Sequence, residues 1–114
     1  MTRPIRALDL LVLYSLAALT YEGVSKRVNS GYRPVNYVRP DYWSSAHHEF
    51  IGRDSVETGE QSLAEVWLVT PEAYPHTLWT GRQLEIGEAT RVVGKAEVIQ
   101  VFNLILTKFG NQSS

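Results

Sequence analysis

Cysteine is absent from this 114-residue chain. That excludes disulfides, thiolate metal sites, iron–sulfur centres and cysteine nucleophiles, leaving three histidines as the soft ligands. Net charge is almost absent too: 11 Lys+Arg stand against 12 Asp+Glu, a formal −1. A surface basic enough to coat nucleic acid throughout is thereby excluded, whereas a local patch is not. Long apolar runs are missing. The best candidate, Ala7 to Leu19, falls well short of the ~20 residues that cross a bilayer. Arg3 and Arg6 precede it in the manner of a secretory signal, but Asp9 interrupts the apolar core and no small-x-small cleavage site follows before Thr20-Tyr21. The segment is read as a buried strand or short helix that opens the domain, in a cytoplasmic protein without a membrane partner. There is also no lysine-bearing phosphate loop and no nucleophile elbow.

What is present is enough for one core. A chain of this length buries roughly two-thirds of its unfolded surface, which suits one domain and excludes a nucleotide-binding domain with its partner domain. Charge is unevenly placed along it. Residues 1–40 carry Arg3, Arg6, Lys26, Arg27, Arg33 and Arg39 against Asp9 and Glu22, a net of +4, and residues 41–114 carry a net of −5. Folding decides whether the early cations gather on one side or mix with the later carboxylates.

Breakers recur at Gly31, Pro34, Pro40, Gly52, Gly59, Pro71, Pro75, Gly81, Gly87 and Gly94, too closely for helices of average length, and Val, Ile, Leu, Tyr and Trp fill the intervals. This is an all-β rhythm. Strands are predicted at Leu8–Tyr14, Tyr32–Val38, Ala46–Ile51, Ser62–Thr70, Gln83–Ile86 and from Arg91 towards Leu106. Leu63–Val69 is apolar enough to be buried on both faces, with Glu65 as the polar exception. Lys95, Glu97, Ile99 and Val101 share one face opposite Ala96, Val98 and Gln100, an imperfect alternation. Helical turns are expected at Leu16–Thr20 and Pro71–Tyr74, and Leu104–Phe109 continues a strand or forms a terminal helix.

Few residues suggest chemistry. His47-His48-Glu49 is the most ligand-like cluster, yet adjacent strand residues point to opposite faces and cannot converge on one metal. These histidines are expected at the surface or the core boundary, and His76 lies apart in a proline-containing loop. Glu57 and Glu60 flank Gly59 as in a tight turn between strands, with the glycine at positive φ. No carboxylate pair stands out as a glycosidase pair. A binding surface is the stronger reading, because Tyr21, Tyr32, Tyr37, Tyr42 and Trp43 are interleaved with Lys26, Arg27, Arg33 and Arg39. Against it stands the common use of Tyr and Trp to close a β core. Pro34 holds Arg33 in the extended region and so gives its side chain a set direction of exit.

Gly31-Tyr32-Arg33-Pro34, the turn Val56-Glu57-Thr58-Gly59-Glu60, and the run from Leu68-Val69-Thr70-Pro71 through Gly81-Arg82-Gln83-Leu84-Glu85-Ile86 to Arg91-Val92-Val93-Gly94 together resemble the C-terminal domain (domain 3) of translation elongation factor Tu. They occur in the family order with nearly the family spacing, over about Leu8 to Val101. The resemblance implies a closed six-stranded antiparallel Greek-key β-barrel at 1–103, followed by an extension at 104–114, without catalytic residues or cofactor. In the elongation factor this domain packs on the GTPase domain, helps hold the T-stem side of aminoacyl-tRNA and offers a surface to the exchange factor. The tRNA-contacting Arg and His of the family are matched here by Val24 and Ser25. Three family glycines are matched by Ala89, Thr90 and Ala96, whose side chains stand where an RNA backbone would approach.

The expectation is therefore a non-enzymatic protein-interaction module whose contact residues are Tyr32, Arg33, Arg39, Tyr42 and Trp43, with an unidentified protein as partner. The alternative is a tRNA or structured-RNA binder that uses Lys26, Arg27, Arg33, Arg39, Arg91 and Lys95. The apolar run Leu104-Ile105-Leu106 is expected to cover a barrel face or to support a homodimer.

Overall fold

Alternation of large apolar side chains makes Leu10–Leu16 a strand, β1, with Leu10, Val12, Tyr14 and Leu16 turned inward and the residues between them half-exposed. A computed structural model describes residues 6–16, 27–39, 42–88 and 91–107, of which 37–39, 42–44 and 91 are described by backbone alone. The remaining strands are β2 (Arg27–Asn29), β3 (Val35–Arg39), β4 (Tyr42–Phe50), β5 (Ser55–Glu57), β6 (Gln61–Leu68), β7 (Gln83–Glu88) and β8 (Arg91–Val101).

Six of these close a barrel in the order β1-β6-β4-β3-β7-β8, with β8 paired back onto β1 and every pairing antiparallel. β1 is not a neighbour of β3, nor β6 of β7, so the connections cross the barrel ends in Greek-key fashion. Closure leaves none of these six strands with a free edge. The expected all-β barrel is what the chain forms.

The short strands β2 and β5 pair only with each other and make a separate ribbon. Val28 and Val56 stand directly opposite one another in it and are buried in the core, whereas Arg27 and Glu57 face solvent. Neither segment is among the predicted strands, because three residues are too few to show a period. The turn after β5 is as expected: Gly59 has φ 89°, and its N–H donates to Leu16 O at 2.7 Å. At the other end the β6–β7 connection opens with a 3-10 turn at Pro71–Ala73 and drops Tyr74 and Leu78 into the core. A second 3-10 turn, Leu104–Leu106, fully buries Leu106 beside them, and Leu78 bridges Thr107.

Two strands depart from the sequence reading. β6 is not buried on both faces: Ala64, Val66 and Leu68 fill the core, while Leu63 on the outer face is 42% exposed. The outer face is covered only at Trp67, whose indole N–H donates to Arg6 O at 2.9 Å and whose ring stands edge-on to His47. The imperfect alternation of β8 has a geometric cause. Leu11 lies opposite Gln100 and Val12 opposite Val98, so Ile99 is an extra residue, a β-bulge that moves Val101 to the inner face. Gly94 lies where β8 presses on β1, and a Cβ added there would sit 2.4 Å from Ser15 O.

Candidate functional site

The core contains a polar chamber near the Leu16 end. His48 is fully buried, its Nε2 lies 3.3 Å from Asn36 Oδ1, and its Nδ1 has no hydrogen-bond partner among the described residues. Asn36, also buried, donates to Pro34 O at 3.2 Å. The rings of Tyr14 and Tyr32 stand edge-on to His48 at 5.7 and 6.4 Å. Tyr32 donates its hydroxyl to Glu88 at the end of β7. Burial, with a smaller contribution from His47, lowers the His48 pKa to about 3. Burial also raises the Tyr14 and Tyr32 phenols above their ordinary range, Tyr32 further because its proton is held by Glu88.

On the outer face of β4, His47 Nε2 lies 2.6 Å from Glu49 Oε2, and Ser30 donates to Glu49 Oε1 at 3.0 Å. The two histidines thus point to opposite faces, as strand geometry requires. Both are buried, not at the surface, because the core takes His48 while Trp67 packs against His47.

A second polar centre fastens the opposite end. Asp9 is fully buried and accepts from Arg6 Nη1 at 3.0 Å and Nη2 at 2.7 Å, from Leu68 N at 2.7 Å and from Asn103 Nδ2 at 2.9 Å. Its backbone donates to Val66 O and accepts from Phe102 N. The hydrogen bond to Asp9 holds the Arg6 proton above the ordinary arginine range. Residues preceding β1, ending β6 and following β8 therefore meet at one carboxylate.

Around this clamp the rim is apolar. Val69 is 58% exposed, Phe102 42%, Leu104 72% and Ile105 42%. An open groove of about 490 Å³ runs between Arg6–Asp9 and Phe102–Leu104. The β3–β4 hairpin turns at the same end: Arg39 pairs with Tyr42, and Val69 N donates to Ser45 O at 3.1 Å.

The five expected protein-contact residues are divided by this geometry. Arg39, Tyr42 and Trp43 lie at the hairpin end, although their side chains fall outside the described residues. Tyr32 and exposed Arg33 lie beyond the other end of β3, about 20 Å away at the rise of an extended strand. Tyr32 packs on the core and engages Glu88, so it serves the chamber. The RNA set is scattered as well. Arg27 is bound by Glu57 at 2.6 Å, and Lys95 is exposed but opposite Glu85. Arg91 is placed in β8 by backbone alone, and Lys26 lies outside the described residues. Sequence reading missed Val69 and Phe102 as exposed positions, since an apolar residue at a strand end looks like core.

The chain carries no helix among the described residues that is long and apolar enough to cross a membrane. Compared with known proteins, it matches no family model and no curated protein.

Proposed function

We propose that the chain is a binding module that captures a protein partner on the Leu10 rim of its barrel. The observation that carries this reading is the concentration of exposed aliphatic and aromatic groups there, Val69, Phe102, Leu104 and Ile105, on a barrel whose core is otherwise well filled. The β3–β4 hairpin adds Arg39, Tyr42 and Trp43, residue types that dominate binding energy in protein interfaces. The partner's matching surface is aliphatic at its centre with carboxylates at its edge, where arginine pairs bidentately. The likeness to elongation factor Tu domain 3, a barrel of the same strand number whose role is contact, supports the reading. RNA is the weaker partner, because Arg27 is neutralised by Glu57 and Lys95 faces Glu85 across the strands.

The test is capture from cells of the source, with and without ribonuclease, by the wild-type chain and by two variants shown to be folded, Phe102→Ser/Leu104→Ser and Arg39→Ala/Trp43→Ala. The expected result is a protein that survives ribonuclease, cross-links to the Leu10 rim and is lost from both variants. Undiminished capture by the folded variants overturns the surface. Loss of capture on ribonuclease treatment transfers the function to RNA.

A further inference from the structure

We propose that the β2–β5 ribbon is a flap that acid releases from the Leu16 end of the barrel, with His48 as its trigger. The ribbon is not hydrogen-bonded into the barrel as a strand. It is rooted on His48 itself: Gly31 N donates to His48 O at 2.8 Å, and His48 N donates to Tyr32 O at 2.9 Å. Beside this root, Ser30 holds the ribbon through Phe50 N at 3.0 Å and through Glu49. Among the described residues it is further held by the burial of Val28 and Val56, by Arg53 Nε donating to Ser55 O at 2.7 Å and, in the turn after β5, by Gly59 N donating to Leu16 O at 2.7 Å. Both strands of the ribbon join the barrel close to a glycine, Gly31 on one side and Gly52 on the other.

Lifting the ribbon draws Gly31 off His48 O and, through the Tyr32 N–H held by Asn29 O at 3.1 Å, pulls Tyr32 from the chamber wall, so water reaches the imidazole. The groups that face His48 cannot neutralise a proton on it. Among the described residues they are the phenol of Tyr14 from β1, the phenol of Tyr32, and the amide of Asn36 from β3. Glu88 of β7 is engaged by the Tyr32 hydroxyl, and His47, the neighbour on β4, further disfavours a proton on His48. The closed state therefore refuses the proton and the open state accepts it.

The sign follows from linkage. Burial holds the closed-state value near 3, whereas an open, hydrated imidazole titrates near ~6.5. Closure is thus unaffected above ~6.5 and weakens about tenfold for each pH unit below it. Ordinary carboxylates remain ionised down to about pH 5, which leaves the window from ~6.5 to 5 to a hydrated imidazole.

Amide exchange of the intact chain between pH 7 and 5, corrected for intrinsic rates, tests the proposal. Protection at residues 27–31 and 55–57 is expected to fall roughly thirtyfold by pH 5 while that of β1, β6 and β8 persists. In His48→Gln the flap protection becomes independent of pH over this range. Loss of protection in all strands together, or the same pH dependence in a folded His48→Gln, overturns the proposal. Wild type supplies a check that needs no variant: a His48 ring titrating near 6.5 while the flap amides stay protected also overturns it.

Discussion

Asp9 places a carboxylate where exposure is zero, and four donors surround it. Removing such a group leaves buried donors unsatisfied, so Asp9→Ala is expected to cost about 3 kcal/mol in urea unfolding. Arg27→Ala, which breaks a pair whose side chains are 63% and 50% exposed, is expected to cost less than ~0.5 kcal/mol. The buried phenols give a second expectation. Tyr14 and Tyr32 are raised by burial and stay protonated in the folded chain at a pH where exposed tyrosines have ionised. Because the unfolded chain releases those protons near ~10, stability falls as pH rises beyond that value. Absorbance at 295 nm should show these two phenols titrating only with unfolding. In the sequence Asp9 is visible only as a polar break in an apolar run. Its role depends on Leu68 and Asn103, which no local pattern connects to it.

At the scale of elements, the barrel strands are legible where apolar side chains alternate, as Leu10, Val12, Tyr14 and Leu16 do in β1 and Ala64, Val66 and Leu68 in β6. The ribbon was not, since the burial of Val28 and Val56 becomes visible only once the two short segments are paired. Bulges were equally hidden: the alternation in β8 looks faulty until Ile99 is recognised as extra. Gly94 leaves no room for a side chain. Gly94→Ala forces β8 away from Ser15 O and is expected to lower stability by ~2–4 kcal/mol. Gly59→Ala meets no neighbouring atom and suffers only its positive φ, about 1 kcal/mol. Equilibrium unfolding of the two variants side by side measures the difference.

For the molecule as a whole, the early and late charges of the sequence meet where Arg27 pairs with Glu57, whereas Arg6–Asp9 and Arg53–Glu60 pair within their own segments. Of the proposed site, Arg39, Tyr42 and Trp43 stand close together in the sequence, whereas the apolar rim combines residues that follow β6 and β8 and no local pattern connects them. The 3-10 turn at Leu104–Leu106 separates the two uses of an apolar side chain. Leu106→Ala is expected to cost ~2–4 kcal/mol because it opens a cavity beside Leu78 and Tyr74. Leu104→Ser, at 72% exposure, should change stability by less than ~0.5 kcal/mol and affect partner capture instead. Thermal unfolding together with the capture assay distinguishes the two.

The seam between β1 and β8 joins the first strand of the barrel to the last. A chain emerging from the ribosome therefore makes β1 long before its partner, and the inner face of Leu10, Val12, Tyr14 and Leu16 waits unsealed on that side. Contacts so distant in sequence form slowly, because a loop of nearly the whole chain must close before they contribute. Synthesis halted before β8 is complete should yield protease-sensitive chains, and protection should arrive in one step once Val101 is free to pair with Leu10. In time as well as in space, the last strand makes this chain a barrel.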